Sequence, residues 1–583
     1  MRLASFTIGS DKPGEKQHFK NLKNVVIDFD EHEWITLVIG WNGTGKSNVL
    51  EALATIFREL IGKPNNKGGH GDPAKPSFSY VIRYYCHEKE IEVDADPDRS
   101  GEVYKISYRS LKPEQSIQPS QDGLFDEQSK LAELKYTEFK NHKDEFLPRY
   151  VFGYYSGHSD RMQSVFRPYL QQYDKKLRNA KSEDPGLRRL FYALPVHSQF
   201  VLLAFVLQQD ELVQGFLDSQ LGLDTNTESE SIDSVLLVLN EPSWNLNKSN
   251  EPKGEHGACK DNPDIFWGAE GVVRKFLDRV HDVSTAPIRN TRKDDSTFWN
   301  KKSREYVYLF IKDLNHLATL VGDQKPREFF RDLESTYVSE LIKEVRIRVK
   351  LKKNDGSVTF RELSEGEQQL LTVLGLLRFT AEDESLFLLD EPDTHLNPKW
   401  SVDYIDYLNK FVTSNAEKES SSHIVLTTHN PIAIAELTKQ QVQILHRDVD
   451  TRKITSREPA FDPRGMGYAG IMTSDMFGLD AALDTYTQNL LEEKREITLA
   501  EKVTNQAKLR LAELNRELEG YGFRYASRDP VFEEYLRARY EHDLVAAPAD
   551  QLSKHNSTEQ RAISKSLVEK AMAKIREEGH EKD

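Results

Sequence analysis

Residues 40–47 read GWNGTGKS, a match to G-x-x-x-x-G-K-[ST]. This pattern constrains the fold more than any other feature, because it works only where a strand leads in and a helix leads out. Both flanks are present: residues 34–39 (WITLVI) form an apolar run of strand length, and residues 46–60 carry the apolar spacing of a helix. Glycines let the backbone wrap an anion with its N–H groups turned inward, and the helix N-terminus adds a favourable dipole. Asn42, Gly43, Thr44 and Gly45 would then cradle phosphate, Lys46 would neutralise its charge, and Ser47 would ligate Mg²⁺.

A second apolar run, LFLLDEP at residues 386–392, ends in two acids. A buried parallel strand would deliver both carboxylates at its C-terminal edge, where such sheets bind ligands. Asp390 would hold Mg²⁺, directly or through water, and Glu391 would polarise an attacking water. In isolation, an exposed acidic turn after a strand reads the same way. The phosphate loop in the same chain favours the catalytic reading.

Just upstream, LSEGEQQ (residues 363–369) places Ser364 and Glu367 in the S-x-x-E spacing of a capping box. A helix is expected to start there, with Ser364 and Gly366 at its anion-attracting end. An ordinary helix cap fits the same five residues. One phosphate does not need two cradling helix ends in one chain, but a dimer does if each copy offers its second cradle to the other. His429 ends the strand-like HIVLTT, in TTHNP, where it could sense a terminal phosphate or be a plain loop residue.

Composition narrows the alternatives. The 583 residues include 79 Lys plus Arg and 94 Asp plus Glu, a net charge of −15, so the chain is not a bulk nucleic-acid coat. With 38% apolar and 30% charged residues it reads as globular, of roughly four units at about 150 residues each. The longest apolar run, FVLLAFVL at residues 200–207, is far short of the ~18 residues that span a bilayer. The opening MRLASFTIGS lacks the apolar core of a signal peptide. Two cysteines, Cys86 and Cys259, give neither a disulfide framework nor a CxxC zinc hook. A cytoplasmic protein with no membrane partner is expected.

Taken in order, GWNGTGKS, LSEGEQQ, LFLLDEP with DTHLNP, and TTHNP resemble the ABC-type ATPase head of the SMC/RecF class. The resemblance implies an α/β P-loop fold with ATP and Mg²⁺ as cofactors. By that resemblance Ser364, Gly366 and Glu367 belong to the signature that meets ATP in trans. Residues 393–397 match the D-loop, and Glu391 and His429 match the general base and the switch histidine. A homodimer closed around ATP is implied, with higher oligomers left open.

Within this class, 344 residues separate Lys46 from Asp390, and they are compact and mixed rather than coiled coil. That resembles the RecF-like and OLD-like ATPases of bacterial anti-phage and restriction-associated systems, Septu-like ATPases among them. MFGLDAALD, LLEEKRE and RDPVFEEYL near the C-terminus are similar to that group. OLD-type members carry a Toprim nuclease. Here Asp448 and Asp450 make a DxD, but HRDVDTRKI reads better as a hairpin leaving the core. The resemblance therefore implies a separately encoded nuclease or toxin subunit. The alternative is a DNA repair or chromosome-maintenance ATPase that binds DNA directly. The family's glutamine loop falls at residues 150–162 (YVFGYYSGHSDRM), where the expected Gln is not in place. Ser156, Gly157 and Arg161 line the nucleotide on one reading, and a buried aromatic strand and turn is the other.

Four regions are expected: an N-terminal ATPase lobe at 1–186, a compact, mostly helical insertion at 187–344, a C-terminal ATPase lobe at 345–480, and a helical extension at 481–583 that would dock a partner. Residues 63–76, 224–234 and 251–264 are polar and read as loops. Residues 345–352 (VRIRVKLK) alternate apolar and basic, a strand with four cations on one face. That face could contact DNA or RNA backbone, or simply be solvated while blunting a sheet edge.

Overall fold

The apolar runs flanking the two motifs become neighbours in one seven-stranded sheet of the computed structural model. Its order is Ile454–Arg457, Val442–Arg447, Ile35–Gly40, His423–Thr427, Ser385–Asp390, Tyr150–Tyr155 and Leu190–Tyr192. All are parallel except Ile454–Arg457, which folds back on Val442–Arg447 as a hairpin. The central strands SLFLLD and HIVLT are buried at every position. Strands covered on both faces read as continuous apolar runs rather than alternating ones. The strand carrying the histidine lies between the phosphate-loop strand and the acidic strand.

The structure describes residues 1–62, 73–111, 131–177, 187–207, 210–223, 232–246, 265–293, 303–352, 357–360, 363–380, 384–413, 422–479, 481–500, 504–521, 565–566 and 568–569. The polar stretches 63–72, 224–231 and 251–264 and the RDPVFEEYL segment lie outside them. The chain divides into two compact units, Met1–Tyr468 and Ala469–Asp583. Residues of the expected N-terminal and C-terminal lobes contribute strands to the same sheet.

Helix Lys46–Ile61 covers one face of that sheet and is buried almost all round. Its buried positions include Glu51, Thr55 and Glu59 as well as the apolar ones, because a second sheet lies behind it. That sheet is antiparallel and six-stranded, ordered Val25–Asp28, Arg2–Ile8, Tyr80–Cys86, Lys89–Ala95, Tyr104–Ser110 and Ala132–Leu134. Phe57 of the helix meets Tyr84 of the sheet edge-on at 5.6 Å. The segments SYVIRYYCH and EVYKISYRS are strands as expected, separated by a third, Lys89–Ala95.

The region 187–344 departs from the helical expectation in four places. Leu190–Tyr192 is a strand on the edge of the core sheet, too short to show a period. Ile232–Asn240, Thr285–Lys293 and Ser303–Ile311 join Ile342–Lys350 and Ser357–Thr359 in a five-stranded antiparallel sheet. The order begins with Thr285–Lys293 at the edge, and all nine of its residues are exposed. A strand with no buried face leaves no hydrophobic alternation to read. Helices remain at Val196–Leu207, Glu211–Ser219, Gly271–Val283, Leu314–Val321 and Pro326–Val338. The run FVLLAFVL lies in the first of these, packed on Pro326–Val338 and on Glu365–Thr380. No helix among the described residues is long and apolar enough to cross a membrane.

In the second unit, helices Thr485–Leu499 and Asn505–Gly520 pair through Leu490, Leu514 and Leu518. Arg510 grips Glu493 with two bonds of 2.7 and 2.8 Å.

A buried histidine joins the core sheet to the six-stranded one. His423 Nδ1 accepts from the Leu3 backbone N–H at 2.9 Å, and Nε2 lies 3.0 Å from Thr36 Oγ1. Burial, reinforced by Arg2, pushes its pKa down from 6.5 to about 3. In that interval the unfolded chain binds the proton and the folded chain does not. The stabilisation is therefore full above 6.5 and is lost as pH falls toward 3. Stability measured by urea unfolding should fall below pH 6.5 with a contribution of up to about 1.4 kcal/mol per pH unit from this residue. His423→Gln should flatten that slope, and equal slopes in the two proteins would contradict the assignment.

Candidate active site

The phosphate loop follows strand Ile35–Gly40 and is shaped by backbone geometry. Gly45 adopts φ +96° at the N-cap of helix Lys46–Ile61, a conformation that favours glycine. Thr44 closes the turn with its hydroxyl on the Trp41 carbonyl at 2.8 Å. Asn42 and Gly43 are exposed, and Asn21 clamps the loop from outside by donating to the Gly43 carbonyl at 3.1 Å. Asn48 in turn donates to Asn21 at 2.6 Å. Lys46 folds over the loop, its ammonium 2.8 Å from the Gly40 carbonyl. Burial lowers its pKa, and Glu391 and Asp390 oppose that shift.

Asp390 ends the acidic strand and is 1% exposed. Its Oδ1 accepts from Ser47 Oγ at 3.0 Å and from Thr427 Oγ1 at 2.6 Å. Two oxygens 3.0 Å apart match the cis edge of an octahedral Mg²⁺ shell, which is about 3.0 Å for bonds of about 2.1 Å. Ser47 and Asp390 therefore fit the cation expected of them. Glu391 follows at φ +53°, strained for a residue with a side chain. Its N–H donates to the Thr427 carbonyl and hydroxyl, both at 3.1 Å, which holds the strained turn.

His429 Nε2 lies 3.5 Å from Glu391 Oε1. Burial first, then Lys46, lowers the imidazole pKa, so it is neutral at neutral pH. Thr428 donates to Asp393 at 2.7 Å, and burial raises the Asp393 pKa against that bond. Lys46, Ser47, Asp390, Glu391 and His429 thus converge at one end of the core sheet.

Ser364, Gly366 and Glu367 are placed differently. Ser364 caps helix Glu365–Thr380: its N–H and hydroxyl donate to Glu367 Oε2 at 2.6 and 2.9 Å, and Glu367 N–H donates back at 3.3 Å. A Cβ on Gly366 would sit 2.4 Å from the His395 carbonyl oxygen, so only glycine fits beneath the DTHLNP loop. None of their hydrogen bonds reaches the phosphate loop of the same chain. Ser364 is exposed. The helix does touch the acidic turn, through Gln369 Nε2 at 3.5 Å from the Glu391 carbonyl.

The region 150–162 contains the buried aromatic strand and turn of the second reading, and its end lies beside Asp390. Tyr150–Tyr155 is a buried aromatic strand paired in register with the acidic strand, Tyr155 opposite Asp390. Just beyond its end, Ser156 N–H donates to the Asp390 carbonyl at 3.3 Å, and Arg161 Nη2 lies 3.5 Å from Asp390 Oδ2. Asn21 and Thr427 were not anticipated from sequence. Asn21 carries no local signal, whereas Thr427 lies in the recognisable TTHNP segment.

The basic strand runs Ile342–Lys350, with Val345, Ile347 and Val349 buried. It is not an edge, since Ser357–Thr359 pairs beyond it. Three of the four expected cations have carboxylate neighbours: Arg346 binds Glu344 at 2.9 and 3.1 Å, Arg348 lies 3.9 Å from Asp233, and Lys352, just past the strand, pairs with Asp218. Asp448 lies in the turn of the expected hairpin and accepts from the Asp450 and Thr451 N–H groups at 3.1 and 2.6 Å.

Two protein-family models match the chain. One, described as "AAA ATPase domain", covers residues 17–184, which include the phosphate loop. The other, "AAA domain, putative AbiEii toxin, Type IV TA system", covers residues 254–435, which include Ser364, Asp390, Glu391 and His429. Fold, site and these two matches together fit a P-loop ATPase. Among curated proteins, the chain is 27% identical over 127 residues to the Septu protein PtuA of Bacillus mycoides (strain KBAB4), covering 20% of this chain and 16% of that one. It is 31% identical over 114 residues to the probable peptide export ATP-binding protein YydI of Bacillus subtilis (strain 168), covering 18% and 53%. It is 23% identical over 447 residues to the Retron Vc95 probable ATPase of Vibrio cholerae serotype O1 biovar El Tor, covering 74% and 72%. The first two matches thus span well under two thirds of those relatives' lengths.

Thr427→Val keeps the volume at the strand end but removes the hydroxyl that serves both Asp390 and Glu391. Two buried polar groups lose a partner, so urea unfolding should show a loss of about 1–3 kcal/mol with the fold retained. Unchanged stability would mean that this hydroxyl does not hold the turn.

Proposed function

We propose that this protein binds ATP with Mg²⁺, hydrolyses it, and uses the cycle to close and open a homodimer that controls a separately encoded effector, a nuclease or toxin subunit, in bacterial anti-phage defence. The observation that carries the reading is the meeting of Lys46, Ser47, Asp390 and Glu391 at one sheet end, with the two candidate metal oxygens 3.0 Å apart.

When bound, Mg²⁺ would neutralise phosphate charge between Ser47 and Asp390. Lys46 exchanges its bond with the Gly40 carbonyl for phosphate oxygens. Glu391 accepts the proton of the attacking water, and the neutral His429 beside it holds that water and the terminal phosphate in line. The exposed Ser364 end, with its own cap satisfied by Glu367, is free to meet the nucleotide of a second copy. That arrangement supports the dimer. The Septu and retron names of two relatives support a role beside a defence effector. Direct DNA clamping is less well supported, because three of the four cations in residues 345–352 have carboxylates beside them.

The mass of three proteins in solution, with and without ATP and Mg²⁺, tests the dimer. Glu391→Gln should form a larger species that requires ATP, because the base is gone and nucleotide stays. Lys46→Ala should not form it, and wild type should form it transiently. Equal masses for all three under every condition would remove nucleotide-driven assembly from the account.

A further inference from the structure

The site holds one charged side chain that the reaction as described leaves without a task. Arg161 opens helix Arg161–Leu177, just after the strand that flanks Asp390. Its Nη2 lies 3.5 Å from Asp390 Oδ2, on the side away from Ser47 and Thr427, which bind Oδ1. Among the described residues it is the one cation within 4.0 Å of Asp390. A carboxylate 1% exposed is costly without positive charge nearby; Lys46 supplies part of it, and Arg161 is the cation in contact with it.

The contact is also built to be given up. At 3.5 Å it is at the outer limit of a hydrogen bond, and 36% of the arginine side chain is exposed. The guanidinium rests over the Tyr155 ring, 5.1 Å from its centre, a face on which it can turn without losing its support. Ser159 Oγ accepts from the Arg161 N–H at 3.3 Å, which anchors the backbone while the side chain moves. A divalent cation on Asp390 would repel the guanidinium, and the phosphate that arrives with it is the planar fork's preferred partner.

We propose that Arg161 is an exchangeable counter-ion: it neutralises Asp390 in the empty site, and transfers to a phosphate oxygen of the nucleotide when Mg²⁺ takes the carboxylate. This rests on the ATP-binding reading above. Arg161 is then a nucleotide-binding and positioning residue that also opposes metal binding before nucleotide arrives.

Two affinities should move in opposite directions. Mn²⁺ binding to nucleotide-free protein, followed by electron paramagnetic resonance, should tighten several-fold in Arg161→Ala, since the competitor is gone. Binding of a fluorescent ATP analogue at saturating Mg²⁺ should weaken about tenfold in the same variant, since a charge-assisted phosphate contact is lost. Arg161→Lys keeps the charge without the fork, so it should bind Mn²⁺ like wild type and still bind the analogue more weakly. If Arg161→Ala leaves either affinity unchanged, or weakens both together, the exchange is overturned. If wild type itself binds no analogue while Lys46→Ala behaves the same, the ATP-binding reading fails instead.

Discussion

The short bonds from Ser47 and Thr427 to one oxygen of Asp390 hold the functional end of this molecule together. They join a helix N-terminus, the acidic strand and the histidine strand at a single atom. Asp390 is 1% exposed, and these two donors and Arg161 are its polar neighbours there. The same Thr427 supports the left-handed turn at Glu391, so the carboxylate that would hold metal and the one that would activate water are positioned by a single neighbour.

From that point, contacts run outward through the DTHLNP loop. Asp393 is bound by Thr428, next to His429. His395 Nδ1 lies 3.4 Å from Glu365 at the start of helix Glu365–Thr380, and its carbonyl closes over Gly366. These contacts link the turn after the histidine strand to the exposed Ser364 end.

What could be read from the sequence was local. The phosphate loop, the capping box and the acidic strand each declare themselves within eight residues, because helix starts and buried strands have short-range signatures. The alternation of Val345, Ile347 and Val349 also held, since one face of that strand is buried. Three things had no such signature. Thr285–Lys293 pairs as a strand with every side chain exposed, so propensity and pattern both fail there. Asn21 clamps the phosphate loop from a separate segment. Arg161 meets Asp390 across 229 residues, and only the pairing of the aromatic and acidic strands brings them together.

The central claim is that the acid pair ending strand Ser385–Asp390 acts on a nucleotide held by the Lys46 loop. Single-turnover release of phosphate from radiolabelled ATP, with bound ATP counted in the same samples, tests it most directly. Glu391→Gln should retain bound ATP at wild-type level while its release rate falls by about 100-fold, the upper part of the range for loss of a general base being larger still. Release at the wild-type rate from Glu391→Gln, with ATP bound equally in both, would contradict the account.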